Sequence, residues 1–174
     1  MTNEVIKAIE SRRSVRKYLS KPIPHELLKQ VAEAGTYAPT AKNLQSPTII
    51  VVTKDEDLKE LRKLNAEVLG TTSDSYYGAP AIILVLADSN VGPYVQDASC
   101  VLMDMMLAAH SLGLATCWIN REKEMFDMEE GKTLLKKWGI DPALKGVGAL
   151  AIGYPDGPLP PLKPRKADYI HFVD

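Results

Sequence analysis

Apolar residues recur at helical spacing near the N-terminus. They predict a short helix over Glu4 to Arg12 and a second that Pro24 starts at its first turn. The second carries Leu27, Leu28, Val31 and Ala34 on one face until Ala38-Pro39 stops it. Between them lies an extended basic segment. Thr48 to Thr53, "TIIVVT", is a β-branched run of strand length, and a charged helix follows from Asp55 to about Leu69. "AIILVLA", Ala81 to Ala87, reads as a second strand, buried on both faces.

Pro93 to Leu112 is roughly 20 residues, or about 30 Å as a helix. Its apolar residues cover most of the circumference, which predicts burial on nearly all sides, in part by a second subunit. Asp97 and Asp104 interrupt the run and argue against a membrane span. Gly113 ends the helix, Leu114 to Asn120 reads as a third strand, "MEEGKTLLKKWG" as a helix closed by Gly139, and Gly146 to Gly153 as a fourth strand. The tail from Tyr154 carries five prolines and must run extended, finishing in a short strand at "DYIHFV". No repeat or linker divides residues 1–174, so a single domain is expected.

Charge narrows the function classes. A formal net charge of −1 argues against the broad basic face that nucleic-acid or membrane-surface binding needs. Cys100 and Cys117 are too few for a disulfide framework or an iron–sulfur cluster, and His25, His110 and His171 lack ligand spacing, so no metal site is expected. "MTNEVIKAIE" has no apolar signal-peptide core, and a cytoplasmic location is the expectation.

Against that balanced charge, Arg12, Arg13, Arg16 and Lys17 stand within six residues. Guanidinium forks bind phosphate oxygens bidentately, and Ser14 places a hydroxyl donor between them. A solvated helix end with surface ion pairs explains the same composition equally well. "LKPRK", with Lys163, Arg165 and Lys166, is a second basic knot able to close on the same small anion. The loop "APTAKNLQSP" sets Thr40, Asn43, Gln45 and Ser46 just before a strand, a place from which polar side chains meet a ligand at a sheet end. The glycines of "GVGALA" lie inside a strand, not between a strand and a helix, so they are no dinucleotide fingerprint. Cys117 has no cation beside it in sequence and reads as a buried, inert thiol.

Taken in order, "RRSVR", "APTAKNLQSP", "GAPAIILV", "DASCVLMDMMLAAHSLGLATCWI" and "IGYP…KPRK" resemble the FMN-dependent nitroreductase family over nearly the whole chain. The resemblance implies an α+β fold with a central, mostly antiparallel sheet of four to five strands flanked by helices, in an interlocked homodimer with FMN at the interface. It implies that Arg12, Ser14 and Arg16 hold the FMN phosphate, with Arg13 nearby and Lys163 or Arg165 approaching from the tail. Pro39, Thr40, Ala41, Asn43 and Gln45 of the other subunit would border the isoalloxazine ring, and Trp118 would lie beside the cofactor. A backbone N–H at Ile119, Asn120 or Arg121 would meet flavin N5. "INRE" departs from the Glu-Gly often found there, and Asp104 stands where an amide or another polar residue is frequent.

The resemblance also explains why no acid–base pair or triad is visible, since the chemistry resides in the cofactor. The activity it implies is ping-pong reduction of nitroaromatics, quinones or related electrophiles by NADH or NADPH. Other expectations are a specialised flavoenzyme of the same fold (a dehalogenase, an enoate-type reductase or a flavin-fragmenting enzyme) and a non-catalytic flavin-binding protein.

Overall fold

The computed structural model describes residues 3–173. Its centre is one antiparallel sheet in the order β1-β2-β4-β3, built from β1 (Thr48–Val52), β2 (Ala81–Ala87), β3 (Ala115–Ile119) and β4 (Lys145–Gly153). β2 is buried at every position. Strand side chains alternate between faces, so Ile82, Leu84 and Leu86 enter one core while Ala81, Ile83, Val85 and Ala87 enter another.

The first core is closed by Leu58, Leu61 and Leu64 of α3 (Asp55–Leu69) and by Met125 and Phe126 of α5 (Glu122–Asp127). The second is closed by Leu28 and Val31 of α2 (His25–Gly35) and by Val101, Leu102, Met105 and Ala109 of α4 (Tyr94–Ser111). Helices on both faces explain why β2 is an uninterrupted apolar run; each fully buried Leu or Ile contributes about 1.5–3 kcal/mol. These layers form the expected α+β architecture.

Several boundaries differ from the sequence expectation. α2 ends at Gly35, three residues before Ala38, because the N–H groups of Thr36, Tyr37 and Ala38 switch to the carbonyls three residues back and the chain turns towards Pro39; Gly35 itself packs against Met105, where a Cβ would lie 2.7 Å from its Cγ. α5 was hidden from periodicity because it has only 6 residues. "DYIHFV" is not a strand: it has no pairing partner among the described residues and lies in an exposed tail spanning 157–173. Within one chain α4 is covered on only part of its circumference, and the cover expected from a second subunit lies outside that chain. Asp97, Ala98, Val101, Leu102, Met105, Met106 and Ala109 are buried, whereas Cys100, Met103, Asp104 and Leu107 remain exposed or half-exposed. Partial burial there pushes the Asp104 carboxyl above its usual range.

α5 meets α6 (Glu129–Lys137) in a corner that depends on Gly131. A Cβ at Gly131 would collide with the Met125 carbonyl oxygen, and backbone cannot move aside as a side-chain tip does. Gly131→Ala should therefore open the corner and destabilise the protein by about 1–3 kcal/mol, read as a lower midpoint in thermal unfolding. An unchanged midpoint would show that the corner has slack.

Candidate functional site

α1 (Glu4–Ser11) ends where Arg12 turns to φ −58 and ψ 138, and the chain then runs along the outer edge of β3. Ser14 bridges Thr116 in parallel, and the Val15 N–H donates to the Thr116 carbonyl at 3.0 Å. This pairing buries Val15 and leaves the flanking side chains facing the other way. Arg13 serves as a local brace: its Nη1 donates to the Glu10 and Arg12 carbonyls at 2.6 and 2.8 Å. Arg12 is different. Its Nε and Nη1 are both buried without a hydrogen-bond partner among the described residues, whereas Arg13 leaves only its Nε so. Burial, then repulsion from Arg13, holds its pKa below the usual guanidinium value. Arg16 is exposed, its guanidinium 5.9 Å from the centre of the Tyr77 ring.

Cys117 lies beneath this cluster. Burial pushes its thiol up, although Arg16 and Arg12 pull the other way, so cations absent beside it in sequence are present in space. The thiol remains the inert group the sequence suggested. At the end of α4, His110 Nε2 and Ser11 Oγ lie 2.7 Å apart and tie α1 to that helix. Burial, Arg12 and Arg13 all push the His110 pKa down, so its ring adds no cation to the cluster at neutral pH.

The loop at residues 39–45 sits at the other end of α4. Ala41–Asn43 form a single 3-10 turn, and Lys42, Asn43 and Gln45 have φ of 51, 55 and 51. Three non-glycine residues in the left-handed region store strain, which persists only where surrounding contacts enforce it. Thr40 Oγ1 accepts the Gln45 N–H at 3.0 Å, Gln45 Nε2 donates to Asn43 Oδ1 at 3.2 Å, and both Asp97 carboxylate oxygens lie within 3.1 Å of the Ala41 N. Pro39 is exposed beside them. A cavity of about 130 Å³ opens between Thr36, Thr40, Gln45 and Val101, and Ser46 nearby has a buried hydroxyl without a partner among the described residues.

Asp97 was missed as a site residue because it reads as one polar break in an apolar helix; its contact with Ala41 spans 56 residues of sequence. Asp97→Ala strands the Ala41 N–H. It should cost about 1–3 kcal/mol and speed amide hydrogen exchange across residues 41–45. Exchange as slow as in the parent protein would mean that the loop is held by other contacts.

β3 delivers the third group. Trp118 is half-buried, with Nε1 donating to Asn120 Oδ1 at 3.0 Å, while Ile119 is buried and Asn120 exposed. Arg121 has φ 87, a glycine-like conformation. Asn65 of α3 donates to the Asn120 carbonyl at 3.0 Å.

The structure brings Arg12, Ser14 and Arg16 together but keeps them away from the 39–45 loop. Asp97 marks the loop end of α4 and His110 the cation end, about 20 Å apart along a helix rising 1.5 Å per residue. In the tail, Arg165 shares a shallow cavity with Ile9 of α1, and Lys163 is exposed; neither makes a hydrogen bond among the described residues. A larger cavity, about 520 Å³, lies between α3 and α6 and includes none of these residues. Among the described residues, no group of His, Cys, Asp and Glu could hold a metal, and no helix is long and apolar enough to cross a membrane.

Known proteins share this fold. The profile of the nitroreductase family matches residues 9–154. Two archaeal relatives bear the provisional name NADH dehydrogenase/NAD(P)H nitroreductase. That of Methanothermobacter thermautotrophicus is 34% identical over 66% of this chain and 60% of its own length. That of Archaeoglobus fulgidus is 31% identical over 87% of this chain and 86% of its own. A Bacteroides fragilis nitroreductase, solved with bound FMN, superposes with a TM-score of 0.91 at 33% identity, covering 99% of this chain and 100% of the other. With a family match across most of the chain and a fold shared end to end, the protein belongs to the nitroreductase family.

Proposed function

We propose that the protein binds FMN between two copies of the chain and passes electrons from NADH or NADPH to a small electrophile such as a nitroaromatic or a quinone. The observation that carries this is the Arg12 guanidinium, whose buried Nε and Nη1 lack partners in the chain. A buried charged donor without an acceptor is costly, and a phosphate oxygen satisfies it with a charge-assisted bond. Ser14 and Arg16 flank it, so the residues present fit a flavin phosphate. Arg13, already engaged with two carbonyls, steadies Arg12. Lys163 and Arg165 add positive charge from the tail.

The separation along α4 supports a site made by two copies. One chain holds the phosphate cluster and the 39–45 loop at opposite ends of one helix; two copies facing each other along α4 bring the loop of one to the cations of the other. Pro39, Thr40, Ala41, Asn43 and Gln45 then border the ring. The half-exposed face of α4 supplies the contact surface.

Of the backbone donors at Ile119, Asn120 and Arg121, the Arg121 N–H is the one this reading assigns to the flavin. Asn65 holds the Asn120 carbonyl, and in a planar trans peptide the Arg121 N–H points the opposite way. It has no acceptor among the described residues. FMN, when bound, supplies the hydride chemistry and allows donor and acceptor to use one site in turn. The chain binds the phosphate, covers the ring from two sides and aims a backbone N–H at its N5 edge.

The test is the spectrum of the purified protein. A flavin band that bleaches on anaerobic mixing with NADH or NADPH, and returns on addition of a quinone, is expected. A colourless protein that cannot be reconstituted with FMN would remove the reading, and a flavin band that neither nucleotide bleaches would leave a flavin-binding protein.

A further inference from the structure

Behind the β3–α5 turn lies a buried polar cluster. Glu122 is completely buried; its Oε1 accepts a hydrogen bond from the Tyr76 hydroxyl at 2.9 Å, and its Oε2 has no partner among the described residues. Tyr76, also fully buried, accepts from Asn65 Nδ2 at 3.4 Å, and the same amide donates to the Asn120 carbonyl at 3.0 Å. Asn65 Oδ1 in turn accepts from Arg121 Nε at 3.0 Å. Gly146 of β4 makes the room: a Cβ there would collide with the Glu122 backbone carbonyl.

This cluster joins α3, the loop before β2 and the turn after β3. Burying so many polar atoms is costlier than filling the same space with Leu or Phe, and the unmatched Oε2 adds to the cost. What the network gains is direction. The Tyr76 proton is committed to Glu122, so its lone pair faces Asn65. With Asn65 oriented by both Tyr76 and Arg121, its amide grips one face of the Asn120–Arg121 peptide. Arg121 is held at φ 87, a conformation that a non-glycine residue adopts only under constraint.

We propose that Glu122 is a positioning residue which, through Tyr76 and Asn65, sets the orientation of the Asn120–Arg121 peptide and with it the aim of the Arg121 N–H. The proposal rests on the reading of that N–H as the group offered to the flavin, but the turn it describes exists without the flavin.

Ionisation of Glu122 makes the device sensitive to pH. Burial pushes its carboxyl up to about 8, against the hydrogen bond from Tyr76 and the attraction of Arg121. The titratable groups facing it are Tyr76 from the loop before β2 and Arg121 and Glu124 from its own segment. α3 contributes the uncharged Asn65, and β4 a glycine. The carboxyl is therefore neutral at pH 7, and charge enters the cluster above about pH 8. Because the pKa is raised on folding, the contribution to stability is complete below about 4.5, declines as the unfolded chain ionises first, and is lost through about 8.

The experiment follows the Arg121 amide of the 15N-labelled protein before FMN is added, from about pH 6 to about pH 9.5, a span that brackets the titration. The resonance should shift with a midpoint near 8 in the parent protein and stay still in Glu122→Gln. Between about pH 6 and about pH 8, stability to urea should fall more steeply with rising pH in the parent than in Glu122→Gln. Tyr76→Phe, which keeps the ring but cuts the relay, should displace the Arg121 resonance at neutral pH; this variant decides the matter if Glu122→Gln does not fold.

An Arg121 amide that does not move with pH, that moves equally in Glu122→Gln, or that is unaltered in Tyr76→Phe overturns the proposal. A titrating amide in a protein that cannot take up FMN would instead sink the flavin reading and leave the positioning role standing. In the FMN-loaded protein, the reduction potential should show an inflection near pH 8 that Glu122→Gln removes, and its absence in the parent would separate the turn from the cofactor.

Discussion

Arg12→Ala should weaken FMN binding by about 10- to 150-fold while leaving riboflavin binding nearly unchanged, because it deletes a charge-assisted contact worth about 1.5–3 kcal/mol to the phosphate alone. Arg12 carries the largest effect in its cluster for a structural reason. Its Nε and Nη1 are both buried without partners, whereas Arg13 leaves only its Nε so and commits its Nη1 to two backbone carbonyls. Arg16 is exposed to water, so Arg16→Ala should cost less than Arg12→Ala. Lys17 is paired with Asp156 at 2.7 Å on the surface, and Lys17→Ala should change the affinity little. Titrations of the two flavins, followed by quenching of flavin fluorescence, read all of these. Equal losses for FMN and riboflavin in Arg12→Ala would mean that the cluster does not hold the phosphate.

If two copies share the FMN as proposed, ending the chain after Asp156 should convert the dimer into a monomer and reduce FMN affinity on the order of 100-fold or more, since the ring would lose its cover from the second copy. Residues 157–173 are all exposed, with Phe172 at 85% and Val173 at 98%. α1 is amphipathic yet buries no residue, leaving Val5, Ile6 and Ile9 on the surface. Two exposed segments bearing apolar residues, together with the half-exposed face of α4, offer apolar surface of the kind that interfaces bury. A second copy covers all three if the tail of each reaches across the other; a stable interface of that kind buries about 1,200–2,000 Å² in total. Asp156 is the natural end point because its N–H still bonds to the Lys17 carbonyl at 3.0 Å, so the core remains tied. Sedimentation of both proteins decides it: a full-length monomer with FMN bound, or a truncated protein that stays dimeric, would contradict the arrangement.

The parts of this protein legible in its sequence are those governed by local periodicity. β2 is a strand bounded at Ala81 and Ala87 as its β-branched run indicates, and α3 spans Asp55–Leu69, closed by Gly70 at φ 69. The basic cluster was visible too, because four cations in a chain of net charge −1 stand out without any fold. What local patterns could not carry were short or partnerless segments. α5 is too short for a helical period to emerge, and "DYIHFV" has strand composition but no edge beside it.

Tertiary structure decided the roles within the site. Four cations look equivalent in sequence; packing commits the Arg13 Nη1 to carbonyls, pairs Lys17 at the surface, exposes Arg16 and leaves two buried nitrogens of the half-buried Arg12 without partners. Asp97 and Glu122 gave no signal, since each meets its partner only after the chain has folded across 56 and 46 residues respectively. Composition and periodicity report a residue's own preference for helix, strand or water, and so they determine the elements. Which polar atom is satisfied and which is left waiting depends on distances between segments remote in sequence, and only the packed sheet and its helices set those.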